Sequence, residues 1–395
     1  LETHDVVVAG GGLSGLMAAR KAAEGGVDVL LVEKENTLGR KVCAEAMSSQ
    51  TVIDAELESS KDFITNRIDG VHVYPPDESR MVNISSVDTG VGGGYEGYIV
   101  DKPLFLTALA EAAESKGARL MLNTAVVDIA KEQDYVRIRV DTPEGAKEIG
   151  AKILIGCDGV TSVVARKFFT RKNYELIPCV QYTLSSCSVG EERFTEFYLG
   201  REVAPLGYAW IFPKGKGVAN VGIGVRGKPA KPYLDKFLKN HSEKFRNSKV
   251  MKVGAAPVPV GGLIEEVVAD NLMLCGDSCG QVIPITGAGI HSGIAAGKIA
   301  GEVAAKAVLE KNLSRARLAE YPSRYDVYWG SRIRSSLKVL RLISAMSDNE
   351  LNELAKVLGG KDIIDLANGL NIKQVAQMLL RHPMFAVKVA KLLLG

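Results

Sequence analysis

The chain has 395 residues, 46% of them hydrophobic and 24% charged, enough for a large core and more than one domain, and not the composition of a disordered chain. A net charge of +3 with no basic-aromatic module argues against nucleic acid as a partner. Six cysteines in a chain this long fit a reducing compartment better than a disulfide framework. Cys275 and Cys279 have no further ligand close enough for a metal set, so they read as core or pocket-wall thiols and no metal is expected.

The chain enters a short apolar strand, Asp5–Ala9, almost at once, so no secretory leader is expected. No apolar run reaches ~18 residues, so neither is a single membrane span. A cytoplasmic protein is the expectation. Gly10-Gly11-Gly12-Leu13-Ser14-Gly15 follows the strand, then a helix with small residues at Ala18, Ala19, Ala22 and Ala23, then the strand VDVLLVEK ending at Glu33-Lys34. This is G-x-G-x-x-G in its required setting. Gly10 makes the tight turn, Gly12 lets the backbone approach a pyrophosphate, and Gly15 brings the helix onto the sheet. The phosphates belong at the helix N-terminus, where unpaired N–H groups point outward. Glu33 is spaced to accept from a ribose hydroxyl.

Farther along, GVGGGYEG at 90–97 reads as a surface turn, since no helix follows it directly. A helix is expected within 98–118, then strands at Arg119–Leu122, Tyr135–Val140 and Glu148–Leu154. Ala151–Asp158 ends in Asp158-Gly159, where the carboxylate is either a cofactor contact or a plain turn cap. IPCVQYTLSSCSV and RFTEFYLG read as strands facing a pocket. In Pro205–Pro213, Tyr208, Trp210 and Phe212 are two apart, so on a strand all three face one side. That side is either a sheet face packed on the core or the wall of an apolar pocket. Leu272–Cys275 is another apolar strand, running into Gly276-Asp277 and a glycine-rich turn at Gly287 and Gly289, where Ile290 opens a helix.

The Gly276-Asp277 stretch resembles the flavin-ribityl segment of the para-hydroxybenzoate hydroxylase-like flavoproteins, which favours FAD over NAD. Within that superfamily the chain resembles the geranylgeranyl reductases. The likeness is carried by GGGLSG, by Val42-Cys43-Ala44-Glu45, by PLGYAWIFP at 205–213, which fits PxxYxWxFP without a gap, and by Gly276-Asp277 through Gly289-Ile290. It spans roughly residues 4–310. Two positions depart from the family pattern: Val42 and Ala44 flank the cysteine where Arg and Gly are usual, and Lys102 stands where an Arg is usual for cofactor contact.

The resemblance implies an α/β and α+β chain: a Rossmann-like FAD-binding domain from 1–44, 98–170 and 265–310, an inserted antiparallel-sheet substrate domain at 171–264 with loop residues from 45–97, and a basic helical region at 311–395. It implies reduction of isolated C=C bonds in geranylgeranyl chains of archaeal-type lipid precursors. The partners would be a geranylgeranyl-bearing lipid or diphosphate, and NAD(P)H or ferredoxin as electron donor. An FAD-dependent hydroxylase of an aromatic or lipid substrate, and a non-catalytic FAD-binding protein, are the alternatives.

Reducing such a bond needs a hydride from the flavin and a proton from elsewhere. Family analogy puts Cys43 and Glu45 near the ring, so each is a candidate acid. The plainer readings are a passive wall thiol and a surface ion pair. His291, just after GAGI, is the third candidate. The tail from Ser331 carries ten Lys or Arg against five Asp or Glu. Ile333, Leu337, Leu340 and Ile343 recur there at helical spacing, and Phe385, Val387, Val389 and Leu392–Leu394 sit among Lys388 and Lys391. Either these helices dock on an anionic membrane surface, making the protein peripheral on the cytoplasmic face, or they cover the catalytic core.

Overall fold

The computed structural model describes residues 1–58, 62–85, 97–172, 174–386 and 389. Most of the expected turn at 90–97, and Val387, Lys388, Lys391 and Leu392–Leu394 of the tail, lie outside them. The strands VVVA and VLLV are buried on both faces, the pattern of a parallel sheet covered on both sides. That sheet runs Val268–Ala269, Leu272–Leu274, Gly145–Gly156, Glu2–Ala9, Val29–Val32, Arg119–Met121. The four neighbour pairs from Leu272–Leu274 to Arg119–Met121 are all parallel. Val136–Thr142 and Ala125–Lys131 continue from Gly145–Gly156 as an antiparallel ribbon.

Helices Leu13–Glu24 and Ile290–Leu309 cross in close contact. A Cβ on Gly297 would sit 2.2 Å from the Ser14 carbonyl oxygen, and one on Gly301 2.3 Å from that of Ala18. These absent side chains, with Ala18 and Ala22 opposite, bring the two helix N-termini to the same end of the sheet.

A second sheet runs Lys249–Pro259, Leu176–Ser185, Val218–Gly224, Tyr208–Gly215, Phe194–Tyr198, Gly70–Tyr74, Val82–Ser85. Ala46–Ser48, Gly97–Val100 and Ile64–Ile68 form a third. Residues 45–97, expected mainly as loop, thus supply strands to two sheets. Their strands are five residues or fewer, and the sheet they join reaches far along the chain, as where Gly70–Tyr74 pairs with Phe194–Tyr198, so local periodicity carries little signal.

The C-terminal helices Ser331–Ser344, Asp348–Val357, Gly360–Ala367 and Ile372–Leu380 turn their apolar faces inward. Val339, Leu342, Leu354, Val375, Leu379, Phe385 and Val389 share one buried cluster. Arg201 ties this bundle to the second sheet, its backbone N–H donating to Asp348 Oδ1 (3.1 Å) and its guanidinium to the Met346 carbonyl (3.1 Å). In Ser331–Ser344 the buried line is Ile333, Ser336, Val339 and Leu342, one residue round from the expected stripe. Ser336 is drawn inward because its hydroxyl accepts from the Ile285 N–H at 3.2 Å. Leu337 and Leu340 are left half-buried. No helix among the described residues is long and apolar enough to cross a membrane.

Candidate active site

The glycine loop is built as its spacing requires. Gly10 has φ +106°, and a Cβ there would meet the Cys157 carbonyl oxygen at 2.4 Å. A Cβ on Gly15 would lie 1.9 Å from the Gly10 carbonyl oxygen. Gly12 differs: nothing lies within 4 Å of where its Cβ would point. It N-caps Leu13–Glu24 with no side-chain cap, so first-turn N–H groups face that open space. The Glu33 carboxylate closes one side, accepting from the N–H of Gly11 (2.6 Å) and of Glu35 (2.9 Å). Lys34 is exposed beside it.

Asp158 N-caps the segment after its strand, Oδ2 accepting from the Val163 N–H at 2.7 Å. Gly276 (φ +74°) packs against Ser14, where a Cβ would come within 2.5 Å of Oγ. Asp277 therefore stands between the two helix N-termini. Its Oδ1 is 3.5 Å from a Cβ position on Gly289, the N-cap of Ile290–Leu309, and its Oδ2 is ion-paired with Lys41. Lys102 Nζ donates to the Lys41 carbonyl at 2.8 Å, holding that loop. Gly287, at φ +65°, turns the chain just before. An open cradle at Gly12, two uncapped helix ends, a carboxylate beside the glycine loop and a Lys–Asp pair fit the diphosphate and polyol of FAD.

Beyond this cradle lies the second sheet. Tyr208, Trp210 and Phe212 do share a face, in a cluster with Ile68, Ile99, Ala44, Ala46, Cys179 and Phe197, while Ala209 and Ile211 enter the opposite core. Trp210 and Phe212 are 7% and 6% exposed, and Tyr208 is half-buried with its hydroxyl donating to the Thr286 carbonyl beside Gly287. The rings thus pack on one another at the end nearest Phe212 and reach the glycine turn at the end nearest Tyr208. Gln181 joins this wall to the cysteine loop: its Oε1 accepts from Trp210 Nε1 (3.2 Å) and its Nε2 donates to the Cys43 carbonyl (3.0 Å).

Cys43 Sγ accepts from the Glu45 N–H at 3.3 Å. Glu45 sits at φ +72°, a conformation that side chains other than Gly rarely adopt, and its carboxylate explains why it is held. Oε2 is ion-paired with Lys214 and accepts from Asn220 Nδ2 at 2.8 Å, while Oε1 accepts from the Lys102 N–H at 3.4 Å. Cys43, Glu45, Lys102, Tyr208, Trp210 and Asp277 are therefore linked through one network of loops. His291 is placed elsewhere: Nε2 contacts Asp54 Oδ2 at 2.5 Å and the ring packs edge-on to Trp329, 4.8 Å between centroids.

Sequence reasoning missed Lys41, Cys179, Gln181, Lys214 and Asn220. Cys179 and Tyr208 are partly buried against the ring cluster. Surrounding protein desolvates both although water still touches them, pushing the Cys179 thiol up to about 12 and the Tyr208 hydroxyl above its usual value. Both stay protonated through the neutral range. One signal was available: Gly222 and Gly224, two apart on a strand, mark a close approach. Trp210 fills the first space and Cys179 Sγ the second, 2.2 and 3.1 Å from the respective Cβ positions.

A family model described as the geranylgeranyl reductase catalytic domain matches residues 175–258, and one described as FAD dependent oxidoreductase matches 5–167. The chain is similar to digeranylgeranylglycerophospholipid reductase 1 of Methanosphaera stadtmanae, 35% identical over 98% of this chain and 96% of the relative. It is 34% identical to digeranylgeranylglycerophospholipid reductase of Methanocaldococcus jannaschii over 100% and 99%. A solved structure of a geranylgeranyl bacteriochlorophyll reductase-like protein from Thermoplasma acidophilum superposes with a TM-score of 0.88, at 27% identity and 99% coverage of both chains. The chain belongs to the geranylgeranyl reductase family of FAD-dependent oxidoreductases.

Proposed function

We propose that this enzyme saturates isolated double bonds in the geranylgeranyl chains of an archaeal-type ether phospholipid. The observation that carries the reading is the wall of three rings facing the Cys43 loop, beside a cradle fitted to FAD. When bound, FAD supplies the hydride. The protein's share is to hold the chain against an apolar wall, exclude water and deliver one proton to the other carbon. The Cys43 thiol is the group for that proton. Among the described residues its sulfur accepts from the Glu45 backbone N–H alone, which leaves its own proton to be given. Glu45 is committed to Lys214 and Asn220 and acts by fixing the loop. NAD(P)H or ferredoxin supplies the electrons, and anaerobic reduction by each separates them.

Cys43→Ala and Cys43→Ser are both expected to keep FAD and lose turnover by about 10²-fold, the usual scale of positioned acid catalysis. Cys179→Ala, which removes the neighbouring thiol, is expected to cost far less. Near-normal turnover in Cys43→Ala would reduce Cys43 to a wall residue. Peripheral docking on an anionic bilayer belongs to the same proposal. With the tail's apolar faces turned inward, it would rest on exposed basic side chains such as Lys338, Arg341 and Lys373. Failure to sediment with anionic vesicles at low salt would remove it.

A further inference from the structure

Between the second sheet and helix Ser331–Ser344 lies a cavity of about 370 Å³ whose lining includes Arg171, Arg226 and Arg341 against a single carboxylate, Glu175. Arg226 Nε is 2.7 Å from Glu175 Oε1, and its Nη1 donates to Ser344 Oγ at 3.4 Å. Arg171 lies flat over Tyr174, 3.5 Å from the ring centroid, and donates through Nη2 to the Val160 carbonyl at 2.9 Å. Its Nε is buried with no hydrogen-bond partner among the described residues. Arg341 is exposed at the rim. Three guanidinium groups and one carboxylate in the lining of a concave site leave an excess of positive charge that an anion would match.

The position of this cavity relative to the sheet face suggests which anion. Along the strand Val218–Gly224, Asn220 holds Glu45, the space over Gly222 is filled by Trp210, and that over Gly224 by Cys179 and Ile177. Side chains two apart share a face, and the ladder continues past the strand end, where the Val225 N–H donates to Pro178 and the Arg226 N–H to Pro205. The next position on that face is Arg226, in the cavity. Gly222 pairs with Gln181, which holds the Cys43 carbonyl, and from Gly222 to Arg226 is roughly 13 Å at the usual strand rise, close to the ~15 Å of hydrocarbon in one bilayer leaflet. The other end of the cavity touches the cofactor segment, since the Tyr174 hydroxyl donates to the Asp277 carbonyl. A lipid lying along this face with its prenyl chain at Cys43 would bring its headgroup to the arginines.

We propose that the Arg171–Arg226–Arg341 cavity binds the phosphate of the lipid headgroup and so selects phospholipid over uncharged prenyl substrates. The proposal rests on the reading of the substrate as a prenyl phospholipid. Guanidinium forks suit the oxygens of a phosphate ester, and Leu337 and Leu340 on the same wall suit the glycerol ether beside it.

The test uses FAD-loaded enzyme and two substrates, digeranylgeranylglyceryl phosphate and the phosphate-free diether. In Arg226→Gln and Arg341→Gln the KM for the phospholipid is expected to rise about tenfold or more relative to that for the diether, with FAD content unchanged and Arg341→Lys partly restored. Equal changes for both substrates, or none, would overturn the proposal. So would loss of FAD, which would assign the cavity to the cofactor. If the wild type reduces neither lipid, it is the function that fails. The cavity is then judged by calorimetric binding of glycerol phosphate, which should be present in the wild type and lost in the variants; equal binding overturns it.

Discussion

Gly12→Val is expected to give a folded, soluble protein that carries essentially no FAD. Gly12 has φ −79°, which valine adopts without strain, and its Cβ would meet nothing. The cost to the fold is that of an altered N-cap, about 1 kcal/mol or less. The same side chain would stand in front of the first-turn N–H groups, where the diphosphate must come close. Gly15→Ala is the contrasting case. Its methyl would overlap the Gly10 carbonyl oxygen at 1.9 Å, an overlap with backbone that no rotamer relieves, so soluble yield itself should fall. Flavin absorbance per folded protein, with circular dichroism alongside, separates the two. Wild-type flavin content in Gly12→Val would mean that the cradle is not where the cofactor lies.

The second large effect is expected at Lys214. Its side chain and that of Glu45 are 15% and 14% exposed and ion-paired, so Lys214→Met would leave a mostly buried carboxylate without its partner, at about 3–5 kcal/mol of stability. Combining it with Glu45→Gln removes the stranded charge, and the double variant should regain most of that loss. Turnover should not return with it, because the Cys43 loop would still lack the ion pair that holds Glu45 at positive φ. Denaturant midpoints and single-turnover rates on all four proteins give the cycle. Additive stability losses would show that the pair is not coupled, and recovery of turnover would deny Glu45 its positioning role.

What could be read from the sequence is local. A glycine loop between two apolar strands needs only about thirty contiguous residues, and the three rings of 205–213 declare their common face by alternation alone. The Lys41–Asp277 and Lys214–Glu45 pairs join residues 236 and 169 positions apart, and no periodicity announces such partners. His291 shows the converse limit. Its place just after the Gly289 N-cap suggested the flavin site, yet on a helix one residue turns a side chain by about 100°, and this one faces Asp54 and Trp329. The tail's composition was legible but its direction was not: basic and apolar residues at helical spacing describe a membrane helix and a core-covering helix equally well. The cluster around Leu354 and Leu379 is what distinguishes them.

This site adds two hydrogens, not oxygen, to a prenyl lipid. The direct measurement is to reduce the FAD-loaded enzyme anaerobically, add a digeranylgeranylglycerol phospholipid, and follow flavin reoxidation together with the product's mass. Reoxidation is expected to depend on the lipid, with product gaining two mass units per bond reduced, the mass of H₂. Reduced enzyme that ignores the lipid but incorporates oxygen into a phenol when air is admitted would contradict it.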